Sequence, residues 1–83
     1  MNQFKEIQNQ VIQIVSNVTK NSNVDENTSQ SNCSGWDSLG YLVIIAEIEF
    51  HFKVSIDTDT FDKMNSIKNI SNFLYETLGR KDY

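Results

Sequence analysis

The sequence predicts an all-α fold, a small bundle of three long helices and one short one. Two observations carry that expectation. The 83 residues contain no proline and only three glycines, so little in the chain interrupts a helix. Apolar residues also recur at steps of three and four over long segments, the period of a helix with one buried face. A chain of this length is expected to form one domain, residues 1–83, with a modest core and little room for an enclosed substrate cleft.

The first helix is expected over residues 2–19. Phe4, Ile7, Val11, Ile14, Val15 and Val18 form its apolar stripe, with Gln, Asn, Lys and Glu between them. Residues 20–36 read as a long loop, because Asn and Ser bond their own backbone and compete with helix. A loop this long in so small a domain is expected to be mobile or functional. Val24 is its candidate core anchor, and Cys33 reads as a bystander thiol with no basic neighbour in sequence to activate it.

A second helix is expected over residues 37–52, capped by Asp37 or Ser38. At about 100° per residue it carries two apolar stripes. Tyr41, Ile45, Ile48 and Phe52 make one; Leu39, Leu42, Val43, Ala46 and Phe50 make the other. Residues 53–64 read as an extended connection with buried Val54, Ile56 and Phe61, ending in a helical turn over Thr60–Met64. A partnerless strand at Val54–Ile56 would not be stable. The last helix is expected over residues 66–78, capped by Asn65 or Ser66, with Ile67, Ile70, Phe73, Leu74 and Leu78 on its apolar face. Gly79 is the expected stop, and residues 79–83 a frayed tail.

Composition narrows the function. The net charge is −4 and the seven basic residues are scattered, which argues against nucleic acid, since phosphate neutralisation needs clustered Lys and Arg. A single cysteine excludes an internal disulfide. No signal-peptide pattern opens the chain, and the longest apolar run, Tyr41–Ala46, is too short to span a membrane. A cytoplasmic monomer is the expectation.

Few residues offer chemistry. A lone His51 makes a poor metal site. Asp57, Asp59 and Asp62 hint at a calcium loop, but the sixth position is Asp62 instead of glycine and the twelfth is Lys68 instead of glutamate. No metal site is expected. The remaining candidate is Gly35-Trp36-Asp37-Ser38-Leu39-Gly40. A serine at a helix start is commonly only a cap. This one follows a polar loop and begins a helix whose free N–H groups and dipole favour an attached phosphodiester, by roughly 0.3–1 kcal/mol.

The stretch GWDSLGYLVIIAEIEFHFKVSI resembles the segment around the prosthetic-group serine of acyl carrier proteins, which carry Asp-Ser-Leu at the start of their second helix. Phe52 and Ile56 also match in spacing, and helix order agrees to about Leu78; residues 20–34 match only in character. The resemblance implies a four-helix acyl-carrier-like bundle that is not an enzyme. It implies that a phosphopantetheinyl transferase attaches phosphopantetheine from coenzyme A to Ser38, with Asp37 assisting through magnesium. The arm's thiol would hold an acyl or aminoacyl group as a thioester for loading and acyl-transferring enzymes. By the same analogy, the Tyr41 stripe packs inward, while Leu39, Leu42, Val43, Ala46, Glu49 and Phe50 face partner enzymes.

Carriers of fatty acid biosynthesis are rich in acidic residues on this helix. Here the corresponding positions hold Gly40, Val43 and Phe50, and only Glu49 keeps its acid. Apolar docking and a dedicated pathway are therefore expected in place of bulk lipid metabolism: polyketide-like, aminoacyl or surface-glycan acylation. A peptidyl carrier and an unmodified helical interaction module are the alternatives. An esterase with a Gly-Asp-Ser-Leu motif fails, because its only base, His51, lies about 20 Å of helix rise from Ser38.

Overall fold

The structure is a computed structural model that describes residues 3–79. It holds four α-helices: α1 (Gln3–Thr19), α2 (Ser38–Phe52), α3 (Thr58–Phe61) and α4 (Ile67–Gly79). A single 3₁₀ turn, Gln30–Asn32, lies in the long first loop. The all-α expectation of three long helices and one short one holds. No helix among the described residues is long and apolar enough to cross a membrane.

Helix α1 packs against both α2 and α4. Its stripe buries Ile7, Val11 and Val15, with Ile12, Ile14 and Val18 half-buried beside them. From α2 come Tyr41, Ile44, Ile45 and Ile48; from α4, Ile67, Ile70 and Leu74; and Met64 fills the space before α4. Ile44 was missed by the two-stripe reading of α2, yet it is fully buried. On the helix wheel it lies about 40° beyond Ile48, on the side away from Tyr41 and Ile45, so the inward face is wider than a single stripe.

The long loop is tied down along its length. Its Asn, Asp and Thr side chains bond the local backbone, as at Asn23 N–H to Asn21 Oδ1 (2.9 Å), Asn27 N–H to Asp25 Oδ1 (2.8 Å) and Ser29 N–H to Asn32 Oδ1 (2.9 Å). Gln30 N–H then donates to Asn65 O (2.9 Å) and Ile67 N–H to Thr28 O (3.0 Å), an isolated antiparallel bridge around Ser29 and Ser66. The polar residues that oppose helix here also supply the bonds that fix the loop. Cys33 and Trp36 leave the loop to join the core, a role the sequence reading did not assign them. Val24 is half-buried against the same core.

Two boundaries differ from expectation. Helix α3 begins at Thr58, two residues before the expected Thr60–Met64 turn, because Asp57 caps it by accepting from Thr60 N–H at 2.8 Å. Gly79 closes the last turn of α4 instead of standing beyond it; residues 80–83 of the expected tail lie outside the described residues. Ser66 Oγ caps α4 by accepting from Asn69 N–H at 3.0 Å. Val54, Ile56 and Phe61 are half-buried against the core, less enclosed than expected.

Candidate functional site

Helix α2 starts under tight local control. Gly35 has φ of +93°, and a Cβ there would lie 2.7 Å from Thr19 O, so only glycine turns the chain here without strain. Trp36 follows and is buried, anchoring the chain just before the helix. Asp37, in extended conformation, then caps α2: its Oδ1 accepts from Gly40 N–H at 2.8 Å. Of the two candidate caps, Asp37 is the one used.

Ser38 is therefore the first residue inside the helix, and its side chain is free of capping. It is exposed, and its hydroxyl has no hydrogen-bond partner among the described residues. The N–H groups of Ser38 and Leu39 are also without partners among those residues, as the first turn of any helix leaves them. An uncommitted hydroxyl thus sits at the positive end of a fifteen-residue helix.

Beside Ser38 opens a surface cleft of about 400 Å³. Ser38 lines one part of it; Tyr41, Leu42 and Phe61 supply apolar lining, and Gln30, Asp62 and Asn65 supply polar groups. The Tyr41 ring tilts against Phe61 at 4.9 Å between centroids, and its hydroxyl donates to the Phe61 carbonyl. Burial raises the Tyr41 pKa above its usual value; the Met64 N–H opposes that shift and the Asp62 charge adds to it.

The other face of α2 is apolar and exposed. Leu39, Leu42, Val43 and Phe50 are 71%, 56%, 41% and 79% exposed, and Ala46 is exposed with them. Four of the five large apolar side chains exposed among the described residues thus lie on one helix. Glu49, read from the sequence as part of this face, is half-buried, and its Oε2 accepts from Ile56 N–H at 2.8 Å. One of its oxygens is spent holding the α2–α3 connection. Lys53 Nζ lies 5.8 Å from the Phe50 ring centroid, placing a cation at the far end of the face.

The residues set aside on sequence grounds have other work. His51 sits toward the end of α2 and pairs with Gln10 Oε1 of α1 at 3.1 Å. Asp57 is the α3 cap already described. Cys33 is buried and accepts a weak contact from Asn21 Nδ2 at 3.8 Å.

A family model described as a phosphopantetheine attachment site matches residues 9–74, from within α1 to within α4. The chain belongs to that family. No curated protein matches it closely enough to count as a relative. Phosphopantetheine-attachment domains are carriers, not catalysts: the prosthetic group is joined covalently and is drawn from coenzyme A. Among the described residues, the exposed helix-start hydroxyl and the partnerless N–H groups beside it fit such a phosphate-linked group, and nothing covers the hydroxyl. When attached, the group supplies a thiol that holds cargo as a thioester.

Proposed function

We propose that this carrier domain holds acyl intermediates as thioesters on a phosphopantetheine arm attached at Ser38. One observation carries the reading: Ser38 Oγ is exposed at the first position of α2 and released from capping by Asp37. Attachment joins Ser38 Oγ to the pantetheine phosphorus of coenzyme A. The bond between that phosphorus and the bridging oxygen to the adenosine bisphosphate breaks, and the hydroxyl proton passes to a base of the transferase. Among the described residues Asp37 Oδ2 takes no hydrogen bond while Oδ1 caps the helix, so it can assist through the magnesium that accompanies coenzyme A.

The exposed face of Leu39, Leu42, Val43, Ala46 and Phe50, flanked by Glu49, is the docking surface in this proposal. Without acids at residues 40, 43 and 50, charge steering is weak and apolar contact dominates. That supports service in a dedicated acylation or polyketide-type pathway, in the cytoplasm, over bulk fatty acid synthesis. Loading and extension by general fatty acid synthesis enzymes measure this directly, and efficient turnover would refute the dedicated pathway.

Intact mass tests the central claim. After incubation with coenzyme A and a broad-specificity phosphopantetheinyl transferase, wild type is expected to gain one arm and Ser38→Ala none. An unmodified wild-type chain leaves a helical interaction module as the reading. The cargo found on protein from its native host separates acyl from aminoacyl carriers.

A further inference from the structure

Two clefts flank α4, and no α2 residue lines either. One, of about 370 Å³, lies between α1, the first loop and α4, and is lined by Phe4, Lys5, Gln8, Glu26, Lys68 and Asn72. The other, of about 350 Å³, lies between α3 and α4 and takes in Lys63, Asn72 and Glu76. Asn72 lines both, so the pair forms one track crossing α4 at that residue. Gln8 marks the track as more than a surface dent. It is only 6% exposed, and its side-chain amide makes no hydrogen bond among the described residues. An enclosed amide without a partner is unfavourable until a visiting group bonds it. The Lys68 and Asn72 side chains likewise make no hydrogen bond or ion pair among those residues.

The lining matches one ligand class. Gln8 and Asn72 each present a carbonyl oxygen and an amide NH₂, the complement of the N–H and C=O of a peptide bond. A peptide chain also has the extended form that two clefts in line require. The charges specify its side chains. Lys5, Lys63 and Lys68, three of the five lysines among the described residues, line the clefts, against only Glu26 and Glu76 of the ten acids there. The track is thus positive in a chain whose net charge is −4, and a positive track is complementary to carboxylates. Phe4 adds an apolar wall at one end.

We propose that this track across α4 binds an extended acidic peptide segment of a partner protein, its backbone held by Gln8 and Asn72 and its carboxylates by Lys5, Lys63 and Lys68. Because no α2 residue lines the track, a partner held there leaves Ser38 and the exposed α2 face open. The domain thereby gains a second handle, by which one protein keeps the carrier close while others visit α2 in turn. The proposal does not depend on Ser38 being the attachment point.

The test titrates the full ¹⁵N-labelled chain with a capped peptide of alternating glutamate and serine, about ten residues long and roughly 33 Å when extended. We expect shift changes in the side-chain amides of Gln8 and Asn72 and in the backbone of residues 4–8 and 68–76, with residues 38–52 unmoved, and weaker binding as salt is raised. Lys68→Glu, a surface change, is expected to weaken binding about tenfold. Gln8→Leu fills the same space with an apolar side chain, so it should unfold at the wild-type denaturant midpoint or above, while binding also weakens about tenfold. Four results each overturn the proposal: no shift changes up to about 1 mM peptide, equal binding of a peptide with lysine in place of glutamate, the same changes from free glutamate at equal concentration, or changes centred on α2. Undiminished binding by both folded variants overturns it as well.

Discussion

A methyl group built on Gly40 would lie 2.5 Å from the carbonyl oxygen of Gly35. The first turn of α2 is pressed against the loop that leads into it, and the neighbour is backbone, which cannot rotate aside. The lack of an acid at residue 40 therefore has a packing cause, independent of any partner. Alanine in a helix gains about 1 kcal/mol over glycine, but overpacking costs about 1–3 kcal/mol, and the closeness of the contact decides for the second. We expect Gly40→Ala and Gly40→Asp both to lower the denaturant midpoint with little change in slope. Wild-type stability in Gly40→Asp would show that the position is open to charge after all.

Asp37 has two roles that substitution can separate. Asp37→Ala removes the cap and is expected to cost about 1 kcal/mol in chemical denaturation. Asp37→Asn keeps an oxygen for Gly40 N–H and should retain most of that stability. If the carboxylate also assists attachment, both variants slow the gain of arm mass at Ser38, the asparagine one without unfolding. Loading of Asp37→Asn at the wild-type rate would reduce Asp37 to a cap.

Tyr41 makes the domain sensitive to alkali. Its pKa is raised in the folded protein, mainly by burial, so folding favours the neutral phenol. The stability this represents is fully present below about pH 10, the unfolded value, and is lost as pH climbs through the folded value. Thermal melts between pH 7 and 11 should show that decline in wild type. Tyr41→Phe removes the bond to the Phe61 carbonyl, costing about 1 kcal/mol near neutrality, and should flatten the alkaline limb. A variant as steep as wild type would place the alkaline loss elsewhere.

How far the sequence could be read depends on which force acts at each position. The stripe from Ile7 to Val15 and the face from Ile67 to Leu74 follow a single period, and the structure buries both. Helix α2 is apolar on two sides, so periodicity alone marked Tyr41 and Ile48 but passed over Ile44 beside them. Ser38 stood out through its neighbours, yet the choice between Asp37 and Ser38 as cap needed backbone geometry. The cleft was illegible: Gln30 comes from the first loop and Asp62 and Asn65 from the α3–α4 connection, two distant segments joined by the Thr28, Gln30, Asn65 and Ile67 backbone bonds. No local pattern announces such long-range pairing. Trp36 and Cys33 were likewise hidden in a polar run whose composition pointed to solvent.

The last expectation concerns α3, which has four residues and cannot stand as an isolated helix. Its start depends on Asp57, whose pKa is lowered chiefly by the Thr60 backbone N–H, with smaller help from the Thr60 side chain and the Lys63 charge. A lowered folded value means that the ionised cap contributes stability above about pH 4, the unfolded range, and that this is lost as pH falls through the folded value. The effect is felt first in α3, because Asp57 is fully exposed and salt and water screen it from the rest of the core. Since Phe61 ends α3 and receives the Tyr41 hydroxyl, loosening there also opens the wall of the cleft beside Ser38. Amide signals of residues 58–61 should broaden or lose dispersion as pH falls below about 4, before those of α1 and α4 change. Asp57→Asn, which caps without titrating, should narrow that difference. Simultaneous loss of all helices in wild type would mean that α3 has no separate acid response.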